Sequence, residues 1–253
     1  MKRFATFFIA LAISFAACGI VSAADKPVVT LDEITKDGFI GRWLVIGKFS
    51  PGIPGGYTGM VVSRKANLTD NDYLTDKGGE TGVVPVDGLE HKRGESTVAW
   101  QMFETKKPLL ELGDVFAKSS ECVMYAATYI ESDAPASLFM NVRSLTGTAI
   151  FVNHKLVRRS PAGSLGDVGD EKVQVPLVKG ENLLIIKFGG LRVEKAATLL
   201  KQPLEEVRSF VRQFNPSLAE SSGLALYVTA SPLSRVGNSE VYIQTSLTPS
   251  GFF

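Results

Sequence analysis

Lys172-Val-Gln-Val-Pro-Leu177 and, five residues on, Leu183-Leu-Ile-Ile-Lys-Phe188 are two strands joined by the turn Gly180-Glu-Asn182. In the first, Val173, Val175 and Leu177 alternate with polar neighbours, the period of a strand with one face turned inward. The second is a run of core composition. Gly180 and Asn182 are turn residues, so the pair reads as strand, turn, core strand. Such a unit points to an all-β chain.

The same grammar recurs on both sides. Arg42-Trp-Leu-Val-Ile-Gly-Lys-Phe49 is a compact apolar run closed by Pro51 and the glycines at 52, 55 and 56. Ser96–Phe103 alternates, with Val98, Trp100 and Met102 on one face. Residues 122–130 and 137–143 are further strands. In the latter Leu138, Met140 and Val142 face one way while Asn141 and Arg143 face the other. Thr148–Val152 and Lys155–Val157 flank Asn153-His154, and Gly223–Ala230 and Glu240–Thr245 complete the set. Short period-two runs punctuated by Gly, Pro, Asn and Asp predict a jelly-roll β-sandwich over residues 38–253.

One segment has a different period. Between 194 and 214 it becomes helical, with Leu204, Val207, Phe210, Val211 and Phe214 on one stripe. Pro203 suits a first helical turn, Glu205 and Glu206 follow it, and Asn215-Pro216 ends the pattern. This helical insertion is expected to cap the sandwich, its stripe packed on the core.

At the N-terminus, Lys2 and Arg3 precede an uncharged, mostly apolar stretch from Phe4 to Ala24, and Val21-Ser-Ala23 places small residues where a signal peptidase reads. Residues 1–23 therefore read as a signal peptide, and the protein as exported: periplasmic, on the cell surface or extracellular. Two rival fates stay open, lipid attachment at Cys18 and retention as an uncleaved anchor. Loss of Lys2 and Arg3 takes Lys+Arg from 27 to 25 against 26 acidic residues, so the formal charge moves from +1 to −1. Such a balance gives no electrostatic pull towards nucleic acid. Of the two cysteines only Cys122 remains, so no internal disulfide forms.

The order of the strand motifs resembles a galactose-binding-like jelly-roll domain of secreted bacterial proteins. Trp43-Leu-Val-Ile-Gly-Lys-Phe49, Thr97-Val-Ala-Trp100, Val123-Met-Tyr-Ala-Ala-Thr-Tyr-Ile-Glu-Ser-Asp133, Val152-Asn-His-Lys-Leu-Val157 and Val175–Lys187 occur in that family's order. The resemblance covers roughly residues 38–190. It implies a non-catalytic module that binds carbohydrate or another cell-envelope ligand. Where the family often carries a Gly-Ser-Asp-Asp turn this chain has Arg143-Ser-Leu-Thr-Gly-Thr148, so no role of those acids carries over. The helical segment also lies outside the family pattern.

Candidate site residues follow from local chemistry. Asn153-His154 sits where a two-residue hairpin wants positive φ twice, and His there is less relaxed than Gly. Asn153, His154 and the neighbouring Arg158 and Arg159 are the ligand-binding candidates. Asp167, Asp170 and Glu171 offer the oxygen ligands that Ca²⁺ prefers, without EF-hand spacing; a structural Ca²⁺ is the sole cofactor considered. Trp100, Tyr125 and Tyr129 are aromatic faces for a sugar only if they leave the core. No nucleophile elbow, zinc-binding helix or phosphate loop occurs, so no catalytic residue is assigned. The reading is a binding module with a glycan or an envelope protein as partner and no membrane span after cleavage. The alternative is a structural or protein-interaction protein with no small ligand.

Overall fold

The computed structural model describes residues 25–49, 71–93, 96–112, 121–144, 147–159, 169–191, 197, 201–214 and 225–232. The strands run β1 (Val28–Thr30), β2 (Arg42–Phe49), β3 (Glu90–Arg93), β4 (Ser96–Ala99), β5 (Gln101–Glu104), β6 (Leu109–Glu111) and β7 (Glu121–Ser132). They continue as β8 (Ala136–Ser144), β9 (Thr148–Val152), β10 (Lys155–Arg159), β11 (Gly169–Leu177), β12 (Gly180–Leu191) and β13 (Ala225–Pro232). Helix α1 spans Leu31–Asp37 and α2 spans Leu204–Phe214.

The result is an all-β sandwich. A seven-stranded sheet has the order β10-β9-β12-β7-β2-β5, with β1 parallel to β7; a four-stranded sheet has the order β11-β8-β13-β6. The chain crosses between sheets from β7 to β8, back to β9, and again at β11 and β12, which is the jelly-roll habit. β1 and β2 share one flank of β7, β1 along Tyr129–Glu131 and β2 along Val123–Ala127. β1 and α1 thus belong to the sandwich although they precede residue 38, the start read from the sequence.

The strand compositions now have a cause. Leu138, Met140, Val142, Val175 and Leu226 from the smaller sheet meet Trp43, Val45, Met124, Ala126 and Ile186 from the larger one. β8 and β11 turn only this inner face into a core, so both alternate, whereas Leu109 of β6 and Tyr227 of β13 pack with the other cluster. The larger sheet carries a second core on its other face, where Tyr73, Leu74 and Val83 from the segment before β3 join Trp100, Val207 of α2, and Leu44, Tyr125 and Ile185. A strand buried on both faces has no polar side to display. Val123–Ile130 and Leu183–Phe188 are accordingly buried at every residue.

Local details depart from the sequence reading in three places. Ser96–Phe103 is not one strand: it breaks at Trp100, whose N–H bonds the Leu89 carbonyl and whose carbonyl accepts from Gly88 N–H. β4 pairs with β3 and β5 with β2, so Trp100 is buried while Met102 is exposed. α2 lays Val207, and Leu204 beside it, on the outer core of the larger sheet, whereas α1 reaches the core between the sheets through Ile34. α1 had its own signal, since Thr30 and Glu33 form a reciprocal capping box and Gly38 closes the helix in the left-handed region at φ 73°. The expected strand Glu240–Thr245 and residues 1–23 lie outside the described residues. Among the described residues no helix is long and apolar enough to cross a membrane.

Candidate functional site

The hairpin takes the expected form. Asn153 and His154 have φ of 47° and 66°, both positive, as a type I′ turn requires. Asn153 is committed to the fold: its Oδ1 accepts from Leu183 N–H at 2.9 Å and its Nδ2 donates to Asn182 Oδ1 at 2.9 Å. His154 is partly exposed, and its Nδ1 has no hydrogen-bond partner among the described residues. Arg158 and Arg159 lie at the far end of β10, where Arg159 pairs with Ala149. At the usual strand rise they are about 13–17 Å from the turn, so the four candidates do not converge. Asp167 lies outside the described residues, and Asp170 and Glu171 take successive positions of β11 opposite Arg143 and Val142. Among the described residues no group of three His, Cys, Asp or Glu side chains is placed to hold a metal. Trp100, Tyr125 and Tyr129 are at most 2% exposed and belong to the outer core.

A buried polar cluster under residues 71–93 was not legible in the sequence. Lys187, on β12, donates to Glu80 Oε1 at 2.6 Å and to the Asn71 carbonyl. Tyr125 OH donates to the same Glu80 oxygen at 2.7 Å and accepts from Tyr73 N–H at 3.2 Å. The ammonium also lies 5.1 and 5.5 Å from the ring centroids of Tyr73 and Tyr125. Burial pushes the Lys187 pKa down, against the opposing pull of Glu80. Nearby, His91 Nδ1 meets Asp76 Oδ1 at 2.7 Å while His91 Nε2 accepts from the Trp100 indole at 3.2 Å. Burial acts to raise the Asp76 pKa, but the Lys92 N–H and His91 outweigh it and hold the carboxyl below its usual range. In both clusters these groups bond one another or nearby backbone across the segment and the sheet. Their role is to fasten the 71–93 segment to the sheet.

These phenols make alkali a test of the outer core. Burial first, and then the charge of Glu80, pushes the Tyr125 pKa far above its usual 10; burial and Glu181 raise that of Tyr129. Both groups stay protonated in the fold while the unfolded chain ionises near 10. Their stabilisation is therefore complete below pH 10 and is lost above it, by about 1.4 kcal/mol per pH unit per tyrosine. Lys187, with its lowered pKa, has the opposite sign, but its contribution ends at the unfolded value of 10.5. Above pH 10.5 stability should fall, with phenolate absorbance from these two rings appearing only on unfolding. Their free titration near pH 10 in folded protein would contradict this burial.

A groove is open to solvent at the opposite end of β2 from Phe49. It encloses about 220 Å³ between α1 and the β2–β5 pair, lined by Glu33, Asp37, Phe39, Arg42, Glu104 and Lys106 among others. The volume lies below the roughly 300–1,000 Å³ typical of sites for drug-sized ligands and suits a single ring. Its walls are set by backbone. Thr105 N–H bonds the Gly41 carbonyl at 2.8 Å, and a Cβ on Gly41 would stand 3.3 Å from the Thr105 carbonyl. Arg42 is paired with Glu33 at 2.7 Å. The Glu33 carboxyl is held below its usual pKa chiefly by the Thr30 N–H. Asp37, Glu104 and Lys106 are exposed and have no hydrogen-bond or ion-pair partner among the described residues, and Phe39 is half-buried beside them. Asp37 sits in the last turn of α1, where the helix dipole disfavours an acid. None of these residues was singled out from the sequence; the position of Asp37 was the one local sign.

No protein-family model matches the chain, and no curated protein matches it. Solved structures similar to part of it include a family 35 carbohydrate binding module from Clostridium thermocellum, at 16% identity over 26% of this chain and 59% of that one, with a TM-score of 0.21. A β-glucosidase from Kluyveromyces marxianus matches at 8% identity over 57% of this chain and 13% of its own, with a TM-score of 0.31. A β-glucuronidase from Ruminococcus gnavus matches at 12% identity over 59% and 20%, with a TM-score of 0.32. The chain thus spans from about an eighth to three-fifths of their lengths, and overlaps this loose leave its site to be argued from its own geometry.

Proposed function

We propose that the protein is an exported, non-catalytic β-sandwich module that binds a carbohydrate of the cell envelope in the groove beside α1. The observation that carries this reading is the groove's composition: a half-buried aromatic ring, Phe39, next to unpartnered Asp37, Glu104 and Lys106. A sugar presents an apolar C–H face for the ring and a rim of hydroxyls for charged donors and acceptors.

Glycan-array binding by the purified protein, followed by calorimetry on the best ligand, tests it. Phe39→Ala and Glu104→Gln should each weaken binding by about 1–2 kcal/mol, roughly five- to thirtyfold, with the fold intact. Absence of binding to every glycan, together with co-purification of an envelope protein, would replace this reading by that of a structural or interaction protein. Export is checked separately by N-terminal sequencing of the secreted chain, which should begin at Ala24.

A further inference from the structure

We propose that the groove beside α1 takes its sugar as a cation: a ring bearing a free ammonium group, the chemistry of an unacetylated amino sugar. The inference rests on the carbohydrate reading above and deepens it by naming the class of ligand.

The groove is unevenly charged. Glu33, Asp37 and Glu104 line it with only Arg42 and Lys106 to balance them, so carboxylates are in excess. Pairing sharpens the imbalance. Arg42 stands directly opposite Glu104 in the β2–β5 ladder, the place from which a cross-strand ion pair ordinarily forms. Its guanidinium is instead bonded to one oxygen of Glu33 at 2.7 Å. Glu33 is held in place for it, because its other oxygen accepts from Thr30 N–H in the capping box of α1. Glu104 is thus left without the cation its register supplies.

Asp37 is in a like position on the other wall. It lies in the last turn of α1, where the helix carbonyls gather partial negative charge, and it has no ion-pair partner among the described residues. A carboxylate there is repelled by its own helix and gains from a cation that enters. Lys106 answers only one of the two acids. Solvated carboxylates alone would be ordinary surface, but these border a ring-sized space of about 220 Å³ beside the half-buried Phe39. An ammonium on a pyranose seated there meets a charge-assisted acceptor on either wall and an aromatic face that attracts cations. N-acetylation removes that charge and a uronate reverses it. One substituent on the ring therefore decides how well it is held.

An array carrying matched free-amine, N-acetyl, hydroxyl and uronate forms of gluco- and galacto-configured oligosaccharides tests this on the full protein, with calorimetry on the pairs that bind. Free-amine forms should bind roughly tenfold or more tighter than their N-acetyl counterparts, and Phe39→Ala should weaken both. The preference should shrink as salt is raised from about 0.1 to 1 M, where the screening length falls from about 10 to about 3 Å. Asp37→Asn and Glu104→Gln, at exposed positions, should each reduce the preference roughly threefold, and Lys106→Gln should enlarge it. Phe39-dependent binding that is equal for amine and N-acetyl forms, or strongest for uronates, overturns the amino-sugar assignment and leaves the groove reading standing. An amine preference that survives the double replacement of Asp37 and Glu104 in folded protein overturns it too, since the attraction then lies elsewhere on the chain. Absence of any Phe39-dependent binding removes both readings.

Discussion

Replacing Lys187 by methionine should cost about 3–5 kcal/mol of stability, measured by urea unfolding. The residue is fully buried in the outer core, and its charge is compensated by Glu80 and the Asn71 carbonyl. Methionine fills the space but leaves the Glu80 carboxylate, itself 5% exposed, without its counter-charge and with Tyr125 as its remaining donor among these groups. An unpaired buried charge is far more costly than an absent pair. The double replacement Lys187→Met with Glu80→Leu should therefore recover a large part of the loss, because it removes both desolvated charges. A single-variant cost below about 1 kcal/mol, the scale of a surface pair, would mean that the cluster is wet in solution. Protease susceptibility should rise within residues 71–93, the segment the cluster fastens, before the sandwich itself unfolds.

Replacing Asn182 by alanine should cost about 3–4 kcal/mol, since it strands several buried backbone groups at once. The Asn182 side chain is fully buried. Its Nδ2 donates to the Val178 and Gly180 carbonyls at 2.8 and 2.9 Å and to Ile130 at 3.3 Å; its Oδ1 accepts from Val178 N–H and from Asn153 Nδ2. One amide thus closes the β11–β12 turn, where Gly180 has φ 93°, and ties it to the β9–β10 hairpin. Asn182→Asp should be at least as damaging, because a carboxylate would face the three carbonyls that the amide now bonds. Hydrogen exchange gives the local readout: the Leu183 amide, which donates to Asn153 Oδ1, should lose protection in either variant. A cost under about 1 kcal/mol, within the range of one ordinary hydrogen bond, would contradict this account.

Both residues show where sequence reading stops. Lys187 and Asn182 stand in a motif that marks the β11–β12 unit, and there Lys187 reads as a strand residue and Asn182 as a turn residue. Beyond the local bonds of Asn182 to Val178 and Gly180, their energetic weight comes from Asn71, Glu80, Asn153 and Ile130, each far away in the chain. The groove has the same history. Glu33, Asp37 and Phe39 precede or begin the region the motifs cover, and Glu104 and Lys106 join them only because β5 pairs with β2. Asn141 and Arg143 were placed on the outer side of their strand by period alone, yet which β13 residues stand beside them was set by the β8–β13 register.

The sequence by itself determined the class of fold, most strand positions, the positive-φ hairpin at Asn153-His154 and the inward set Val173, Val175 and Leu177. These are local properties, written in a period of two and in the φ tolerance of single residues. The tertiary structure decided that the larger sheet is buried on both faces, that Trp100, Tyr125 and Tyr129 are core, and that α2 lies on a sheet face. It also decided which charges are paired inside and which stand free beside α1. Those outcomes depend on contacts between residues distant in sequence, and a one-dimensional pattern carries no term for them.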